Sequence, residues 1–146
     1  MDSANRNSLL MTAATQDLQL YAADCLDRYC QSKNICHPAI GELLSHLRSM
    51  GACENLAVWE SNGACLPLNG RGDDMPQDLH ESLAPEAADT LEKLVGYVVE
   101  VGLADMYGAA SGLPLAFLKR VISILEEGGT GVPEFPNPSS PLQVMK

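Results

Sequence analysis

The side chains best suited to thiolate or metal chemistry crowd into one stretch of the sequence. They are Cys25, Cys30, Cys36, His37, His46 and Cys53. Zinc sites usually pair ligands two to four residues apart, and no C-x-x-C spacing occurs in this chain. Cys25 and Cys30 are five residues apart, which places them on different sides of a helix. The pattern therefore predicts no metal site and favours free thiols that pack like small hydrophobic side chains.

The same stretch holds one candidate for enzyme chemistry, a nucleophilic Cys36 with His37 as its base. Neighbours in sequence rarely have the geometry of a catalytic pair, because such sites are assembled in space. The chain also lacks the nucleophile-elbow, zinc-protease, phosphate-loop and dinucleotide-binding motifs. We therefore expect no enzyme activity and no cofactor, and a thiol enzyme built on Cys36 is the third hypothesis for the function.

The cysteine count and the start of the chain indicate a compartment. Five cysteines would leave one over if the others formed disulfides, so a reducing compartment is the simpler interpretation. An acid, Asp2, comes early, and Leu9-Leu10-Met11 is too short for the apolar part of a secretion signal. No stretch is long and apolar enough to span a bilayer. The sequence therefore predicts a cytoplasmic protein.

The charge balance bears on the class of partner. Nine lysines and arginines face nineteen aspartates and glutamates, which gives a formal charge of -10 at pH 7. Nucleic-acid phosphates and anionic membrane surfaces would repel such a chain. A basic protein partner is favoured instead, since complementary electrostatic fields speed association. Solubility alone is the other interpretation of this charge.

The acidic residues are concentrated in one region of the chain. Residues 73–105 hold nine of them, opposed by a single lysine, Lys93. Like charges at this density repel one another in the free protein, and a basic partner that covers them would relieve the repulsion. A solvated loop and helix face is the alternative. The predicted contact residues are Asp73, Asp74, Asp78, Glu81, Glu86 and Asp89, with Trp59 and Glu60 at the edge.

Two further residues have two interpretations each. Trp59 is the only tryptophan, a residue enriched in binding hot spots but also common in protein cores. Asp105 falls within the apolar face of a predicted helix, where an unpaired carboxylate would be costly. We expect that helix to loosen after Gly102, so that Asp105 reaches neighbouring backbone amides rather than having a functional role.

Hydrophobic periodicity predicts the elements that position these residues. The pattern is typical of a mainly α protein with about four helices and a small β-hairpin between helices 2 and 3. The helices are expected from about residue 9 or 15 to 32, from 38 to 51, from about 79 or 84 to 106, and from 114 to 128. The hairpin is expected over residues 55–68, around Asn62-Gly63. Residues 1–130 would form a single helical domain, and 131–146 a proline-rich tail with Phe135 docked on the body.

The last third of the chain resembles a known family. The run VVEVGLADMYGA at residues 98–109 leads, after a short turn, into LAFLKRVISIL at residues 115–125, and Gly131-Val132-Pro133 closes the segment. Over residues 90–133 this pattern resembles small bacterial immunity proteins, which protect cells from toxins delivered by contact-dependent or type VI systems. The resemblance is to a helix-turn-helix pattern and brings no specific functional residues with it.

The resemblance implies a small, cytosolic, non-enzymatic protein that blocks a toxin by occupying its active site or a nearby surface. Nuclease toxins are basic because they bind phosphates, so an acidic inhibitor can mimic nucleic acid and associate quickly. The resemblance and the charge together predict an immunity protein that neutralises a cognate basic toxin domain. The activity of that toxin, nuclease or other, stays open, as does the oligomeric state.

A secretion chaperone or adaptor for a bacterial effector is the alternative class. Such proteins are also small, acidic and cytosolic, and they commonly dimerise through apolar helix faces. A stable dimer in solution would favour the chaperone, whereas a tight one-to-one complex with a nuclease would favour the immunity protein.

Overall fold

The computed structural model describes residues 13–135, and over this range the chain is mainly helical. Six α-helices and one 3₁₀ turn follow one another, without a strand among these residues. They are α1 (Thr15–Ser32), α2 (Pro38–Arg48), the 3₁₀ turn (Met50–Ala52), α3 (Leu56–Ala64), α4 (Gln77–Glu81), α5 (Pro85–Leu103) and α6 (Leu113–Glu127). The mainly α prediction is confirmed, but the structure has six helices in this range rather than about four.

Three helices form the core. Helices α1, α5 and α6 pack against one another, and α2 lies on α1. The apolar residues at helical spacing in α1 are buried, and they are Leu18, Tyr21, Ala22, Cys25, Leu26 and Tyr29. Helix α5 contacts both α1 and α6 and buries a wide face that includes Leu91, Leu94 and Val98. It is therefore the central helix, as its wide apolar face predicts.

The close approach of α1 and α5 depends on a glycine. Gln19 of α1 is fully buried, and its Nε2 donates a hydrogen bond to the Val98 carbonyl (2.8 Å). A Cβ on Gly102 would lie 2.9 Å from the Gln19 Cδ, so a side chain there would displace the Gln19 amide. The pair brings a polar side chain into the core with its amide nitrogen satisfied.

Helix α2 begins where the sequence predicts. Pro38 occupies its first position, where a missing N–H costs nothing, and the preceding His37 caps the helix. The Ala39 N–H donates to the His37 Nδ1 (3.0 Å). Gly51 does not end the helix, since α2 stops at Arg48 and Gly51 falls in the 3₁₀ turn.

The predicted β-hairpin is wrong, because residues 56–64 form helix α3. Asn55 caps this helix, with its Oδ1 accepting from the Val58 N–H (3.1 Å). Asn62 and Gly63, expected at the hairpin turn, lie in the last turn of α3 and lack the positive φ that a type I′ turn requires. An N-cap followed by leucine, alanine and glutamate favours a helix, and this local preference prevails over the Asn-Gly signal.

The third predicted helix begins at the later of its two predicted starts, near Ala84, with Pro85 in its first turn. Pro85 starts α5, and the residue before it, Ala84, is held in an extended conformation (ψ 151°). Residues before this break form the short helix α4, which ends at Glu81. The earlier predicted start, near Leu79, is wrong, because Leu79 lies in the separate helix α4.

Helix α5 ends at Leu103, so Asp105 lies in the turn that leads to α6. Its carboxylate accepts hydrogen bonds from the Ser111 N–H and the Ser111 hydroxyl, both at 2.6 Å. The expectation that Asp105 reaches a backbone amide is confirmed, and its role is to close this turn.

The segment after α6 packs on the body. Phe135 is buried and meets the Tyr21 ring edge-on, with ring centroids 5.2 Å apart. The Tyr21 hydroxyl donates to the Pro133 carbonyl. The predicted docking of Phe135 is therefore confirmed, and the rest of the proline-rich tail, residues 136–146, lies outside the described residues, as do residues 1–12. Within residues 13–135, no helix combines the length and hydrophobicity that crossing a membrane would take.

Candidate functional site

The loop between α3 and α4 carries two of the predicted contact residues, and a buried asparagine fixes its shape. The Asn69 Nδ2 donates to the Ala64 carbonyl (3.1 Å) and to the Asp73 Oδ2 (2.7 Å), and its Oδ1 accepts from the Arg71 N–H (2.9 Å). Next to it, Gly70 has a φ of +66°, and a Cβ there would lie 2.8 Å from a methyl of Val99. The loop is thus held directly against α5.

Arg71 anchors the same loop from the other side. Its Nη1 lies 3.3 Å from the Glu60 Oε2, and its side chain is only 18% exposed. A Cβ on Gly63 would lie 2.6 Å from the Arg71 Nη2 and 2.5 Å from the His46 Nε2. The guanidinium and the imidazole are therefore close neighbours above Gly63. Glu60, predicted at the edge of the contact surface, is a partner of this internal arginine.

Trp59 belongs to the core. It is 5% exposed, and its ring stacks on His46 at a centroid distance of 4.3 Å. Its Nε1 donates to the His46 carbonyl (2.9 Å) and to the Ser49 hydroxyl (3.1 Å). The indole joins α3 to the end of α2 and presents almost no surface to a partner. Trp59 is therefore a core residue and does not lie at the edge of a contact surface.

The electrostatics of this cluster disfavour a charged histidine. Burial lowers the pKa of His46, and the positive charge of Arg71 lowers it further. The His46 Nε2 and the Arg71 Nε are both buried without a hydrogen-bond partner among the described residues. Protonation of His46 would place a second cation beside Arg71, whose guanidinium already pairs with Glu60.

A second anchor holds α4. The Asp78 Oδ1 lies 3.0 Å from the His37 Nε2, and it also accepts from the Leu79 N–H (2.9 Å). The hydrogen bond from His37 is the main reason why the pKa of Asp78 lies below its ordinary value. Leu79 is buried beneath it. Asp78 therefore fixes α4 to the start of α2 while most of its side chain stays exposed.

The remaining predicted acids are exposed on the same stretch of chain. Asp74, Glu81 and Glu86 have no ion-pair partner within residues 13–135, whereas Asp89 pairs with Lys93 at 3.3 Å. We call the exposed carboxylates of this region the acidic face. Its members are Asp73, Asp74, Asp78, Glu81, Glu86, Asp89 and Glu92.

Two adjoining cavities run along the acidic face, between the α3–α4 loop and α5. One, of about 370 Å³, is lined by Asp74, Met75, Gln77, His80 and Glu92. The other, of about 210 Å³, is lined by Leu68, Gly70, Gly72, Asp73, Met75, Glu92, Val95 and Gly96. Because Met75 and Glu92 line both, we treat the cavities as one acidic groove. Its base is the buried Leu68, Met75 and Val95, and exposed carboxylates stand at its edges.

Sequence reasoning missed the part of this groove that α5 provides. Glu92 is one of the nine acids of residues 73–105 but is not among the predicted contact residues, and neither is Gly96. Glu92, Val95 and Gly96 are three and four residues apart, which places them on one face of a helix. That spacing is visible in the sequence, whereas the seating of Met75 against this face follows from the fold of the loop.

In this structure His37 is not available as the general base that a nucleophilic Cys36 would need. Both nitrogens of His37 are engaged, the Nδ1 by the Ala39 N–H and the Nε2 by Asp78. No lone pair is left to take a proton from the exposed Cys36. Burial raises the pKa of Cys30 to about 12, and the negative charge of Asp27 adds to the effect. Over residues 13–135, no three histidine, cysteine or acidic side chains lie close enough to hold a metal ion.

The fold and the site define a mainly helical protein with an anchored acidic face. Comparison of the chain with protein-family models, with curated proteins and with solved structures gives no match.

Proposed function

We propose that this protein is a cytoplasmic immunity protein that binds a basic bacterial toxin domain through the acidic face and blocks it. The observation that carries the proposal is the acidic face itself. It sets a row of exposed carboxylates on backbone that is already fixed in the free protein by Asn69, Arg71 and Asp78. A surface of this kind attracts a cationic partner from a distance.

Anchoring of the loop supports a role in rapid, tight binding. A partner that meets a preformed surface does not have to order it, so less of the interaction energy is spent on lost conformational freedom. Complementary charge raises the association rate at low salt. Protection against a delivered toxin requires both properties, because the inhibitor must reach the toxin before its target does.

The test begins with capture of the partner. The tagged protein is used as bait in a lysate of its own cells, and a single stoichiometric protein with a basic toxin domain is expected. The association rate of the purified pair is then measured for a double variant, Asp74→Lys with Glu86→Lys. We expect association to slow on the order of tenfold at low salt, and the difference to shrink as salt screens the charges.

The matched control reverses two acids elsewhere, Glu42→Lys with Glu54→Lys, which are exposed on α2 and before α3. It changes the net charge by the same amount. Asp73 and Asp78 are left intact because they hold the loop and α4 in place. Equal slowing by both double variants would mean that only net charge matters, and no slowing by either would remove the acidic face from the interaction.

Exposed apolar residues on α3 support the secretion chaperone as a second candidate. Leu56 and Val58 are 41% and 55% exposed, and only Trp59 and Gly63 of this helix are buried. Apolar side chains exposed on a short helix are suitable contacts for dimerisation. Mass measured in solution separates the candidates, since a stable dimer that Val58→Glu converts to a monomer would favour the chaperone.

A further inference from the structure

We propose that His46 and Arg71 form a pH-sensitive switch, in which protonation of the His46 imidazole in mild acid displaces Arg71 and opens the α3–α4 loop. The proposal concerns the free protein and goes beyond the proposed function. It follows from the packing of an ionisable imidazole against a largely buried guanidinium, which anchors that loop.

The His46 imidazole and the Arg71 guanidinium meet over Gly63. A Cβ on Gly63 would lie 2.5 Å from the His46 Nε2 and 2.6 Å from the Arg71 Nη2. The Nε2 is buried and has no hydrogen-bond partner among the described residues. A neutral ring can direct a lone pair toward the cation, whereas a protonated ring would place a buried N–H there without an acceptor. Protonation of His46 therefore disfavours the present position of Arg71.

The described residues that line the imidazole include one charged side chain, that of Arg71. This lining comes from α2, α3, the α3–α4 loop and α5, and consists of Leu43, Leu47, Trp59, Gly63, Asn69, Arg71, Val99 and Leu103. The carboxylate of Glu60 lies 3.3 Å from the Arg71 Nη1 and already pairs with that cation. Stacking on Trp59 favours a charged ring. Burial and Arg71 outweigh it, because together they lower the pKa of His46.

Arg71 is the side chain expected to give way. The His46 ring stacks on Trp59, and it belongs to α2, whose apolar face is buried. Arg71 lies in a loop, and loops open at a lower cost in free energy than packed helices. Its backbone N–H donates to the Asn69 Oδ1 (2.9 Å), and the Asn69 Nδ2 donates to Asp73 (2.7 Å). Displacement of Arg71 therefore loosens Asn69 and, through it, the position of Asp73.

The direction of the pH dependence follows from the two environments of His46. With the loop open the ring is solvated, and its pKa is the ordinary value of about 6.5. With the loop closed, burial and Arg71 hold the pKa lower. Falling pH therefore favours the open loop, and the effect begins near pH 6.5. At about pH 5.5 the equilibrium constant for opening can exceed its value at neutral pH by at most about tenfold.

The test is hydrogen exchange of the Arg71 amide, expressed as a protection factor so that the intrinsic pH dependence of exchange cancels. Between about pH 7.5 and 5.5 we expect this factor to fall by about three- to tenfold, while the Val98 amide in α5 keeps its protection. His46→Gln lacks the titrating ring and should lose the response. His80→Gln is the matched control, because His80 is exposed on α4 and its removal should leave the response unchanged.

Fluorescence of Trp59, the only tryptophan, gives a second measurement that does not require the His46 variant to fold. Because His46 stacks on the indole, its protonation should quench the emission, with a midpoint below the ordinary histidine pKa. Arg71→Gln removes the neighbouring cation and should move this midpoint to higher pH. Arg48→Gln, which removes an arginine of α2 that pairs with Asp24 and Asp27, should not move it.

An unchanged protection factor of the Arg71 amide would overturn the switch, as would an equal response in the wild type and His46→Gln. Parallel loss of protection at Val98 would also overturn it, because acid would then unfold the core rather than open the loop. The same fluorescence midpoint in the wild type and Arg71→Gln would remove Arg71 from the mechanism. The proposed function fails separately, if the captured partner is unaffected by the reversal of Asp74 and Glu86.

Discussion

The three-helix core and the acidic face are held together by different forces. Helices α1, α5 and α6 bury continuous apolar stripes against one another, so the core is held by many apolar contacts. The acidic face depends on a few polar anchors, namely Asn69, the Arg71–Glu60 pair and the His37–Asp78 pair. The first region should respond to the loss of buried volume, and the second to the loss of single hydrogen bonds or to a change of pH.

This difference has a consequence for binding. A loop fixed by hydrogen bonds can be loosened without unfolding the core, so the shape of the acidic face can be changed separately from global stability. Substitutions in the core should therefore have larger and more global effects than substitutions among the anchors of the acidic face.

The largest effect is expected in the core. Leu94 in the middle of α5 is fully buried, and Leu94→Ala removes its contacts and leaves a cavity. We expect the free energy of unfolding, measured by urea denaturation, to fall by about 2–5 kcal/mol. Leu113→Ala is the control, since Leu113 is 51% exposed and should change stability by less than about 0.5 kcal/mol. Similar losses for the two variants would contradict the assignment of α5 as the central helix.

The next effect concerns the junction of the two regions at Gly63. Alanine normally stabilises a helix relative to glycine by about 0.5–1 kcal/mol, and Gly41→Ala on α2 should do so. Gly63→Ala should have the opposite sign, because its methyl group would overlap His46 and Arg71. Overpacking of this kind costs about 1–3 kcal/mol. Thermal unfolding of the two variants tests the sign, and stabilisation by Gly63→Ala would show that the cluster is loosely packed.

The sequence predicts the core better than the acidic face, for a physical reason. The α1 and α5 stripes follow from helical periodicity, which requires only local spacing. Helix α3 is missed because Asn62-Gly63 is a strong hairpin signal, and only the seating of Gly63 against His46 and Arg71 shows why glycine is needed there. That packing joins residues far apart in sequence, which a pattern in one chain does not reveal.

In the candidate site, too, some features follow from the local sequence and others depend on packing. Six of the seven acids of the acidic face are predicted from charge density, all but Glu92, and they are exposed. The hydrogen-bond partners of these acids cannot be predicted from charge density. Charge density therefore treats Asp73 and Asp78 as free contact residues, although each also holds the backbone in place. The groove depends on a loop that folds back on α5, and no local rule places Met75 beside Glu92.

A smaller and more local effect is expected for Asn69→Ala. The substitution removes both donors to the Ala64 carbonyl and Asp73 and leaves the Arg71 N–H without its acceptor. We expect a loss of about 1–2 kcal/mol and faster amide hydrogen exchange over residues 69–75, with protection in α5 unchanged. Asn62→Ala, at an exposed position on α3, is the control. If α5 exchanged faster too, the loop and the core would unfold as one unit.

The smallest effect should appear as a pH dependence that originates at His46. Its pKa in the folded protein is lowered by burial and by Arg71, so the unfolded chain takes up a proton at a higher pH than the folded one. The neutral ring therefore contributes stability that is present above about pH 6.5. That contribution is lost as the pH falls below this value toward the lower pKa of the folded state.

His46→Gln tests this sign by removing the titrating group. In urea denaturation at about pH 8 the wild type should be the more stable, because the neutral imidazole stacks on Trp59. At about pH 5.5 the gap between wild type and variant should narrow, since only the wild type loses stability through this histidine. A gap of the same size at both pH values would mean that protonation is tolerated beside Arg71. Arg71 would then hold the α3–α4 loop in place at acidic pH as well, although the repulsion between protonated His46 and Arg71 predicts that it does not.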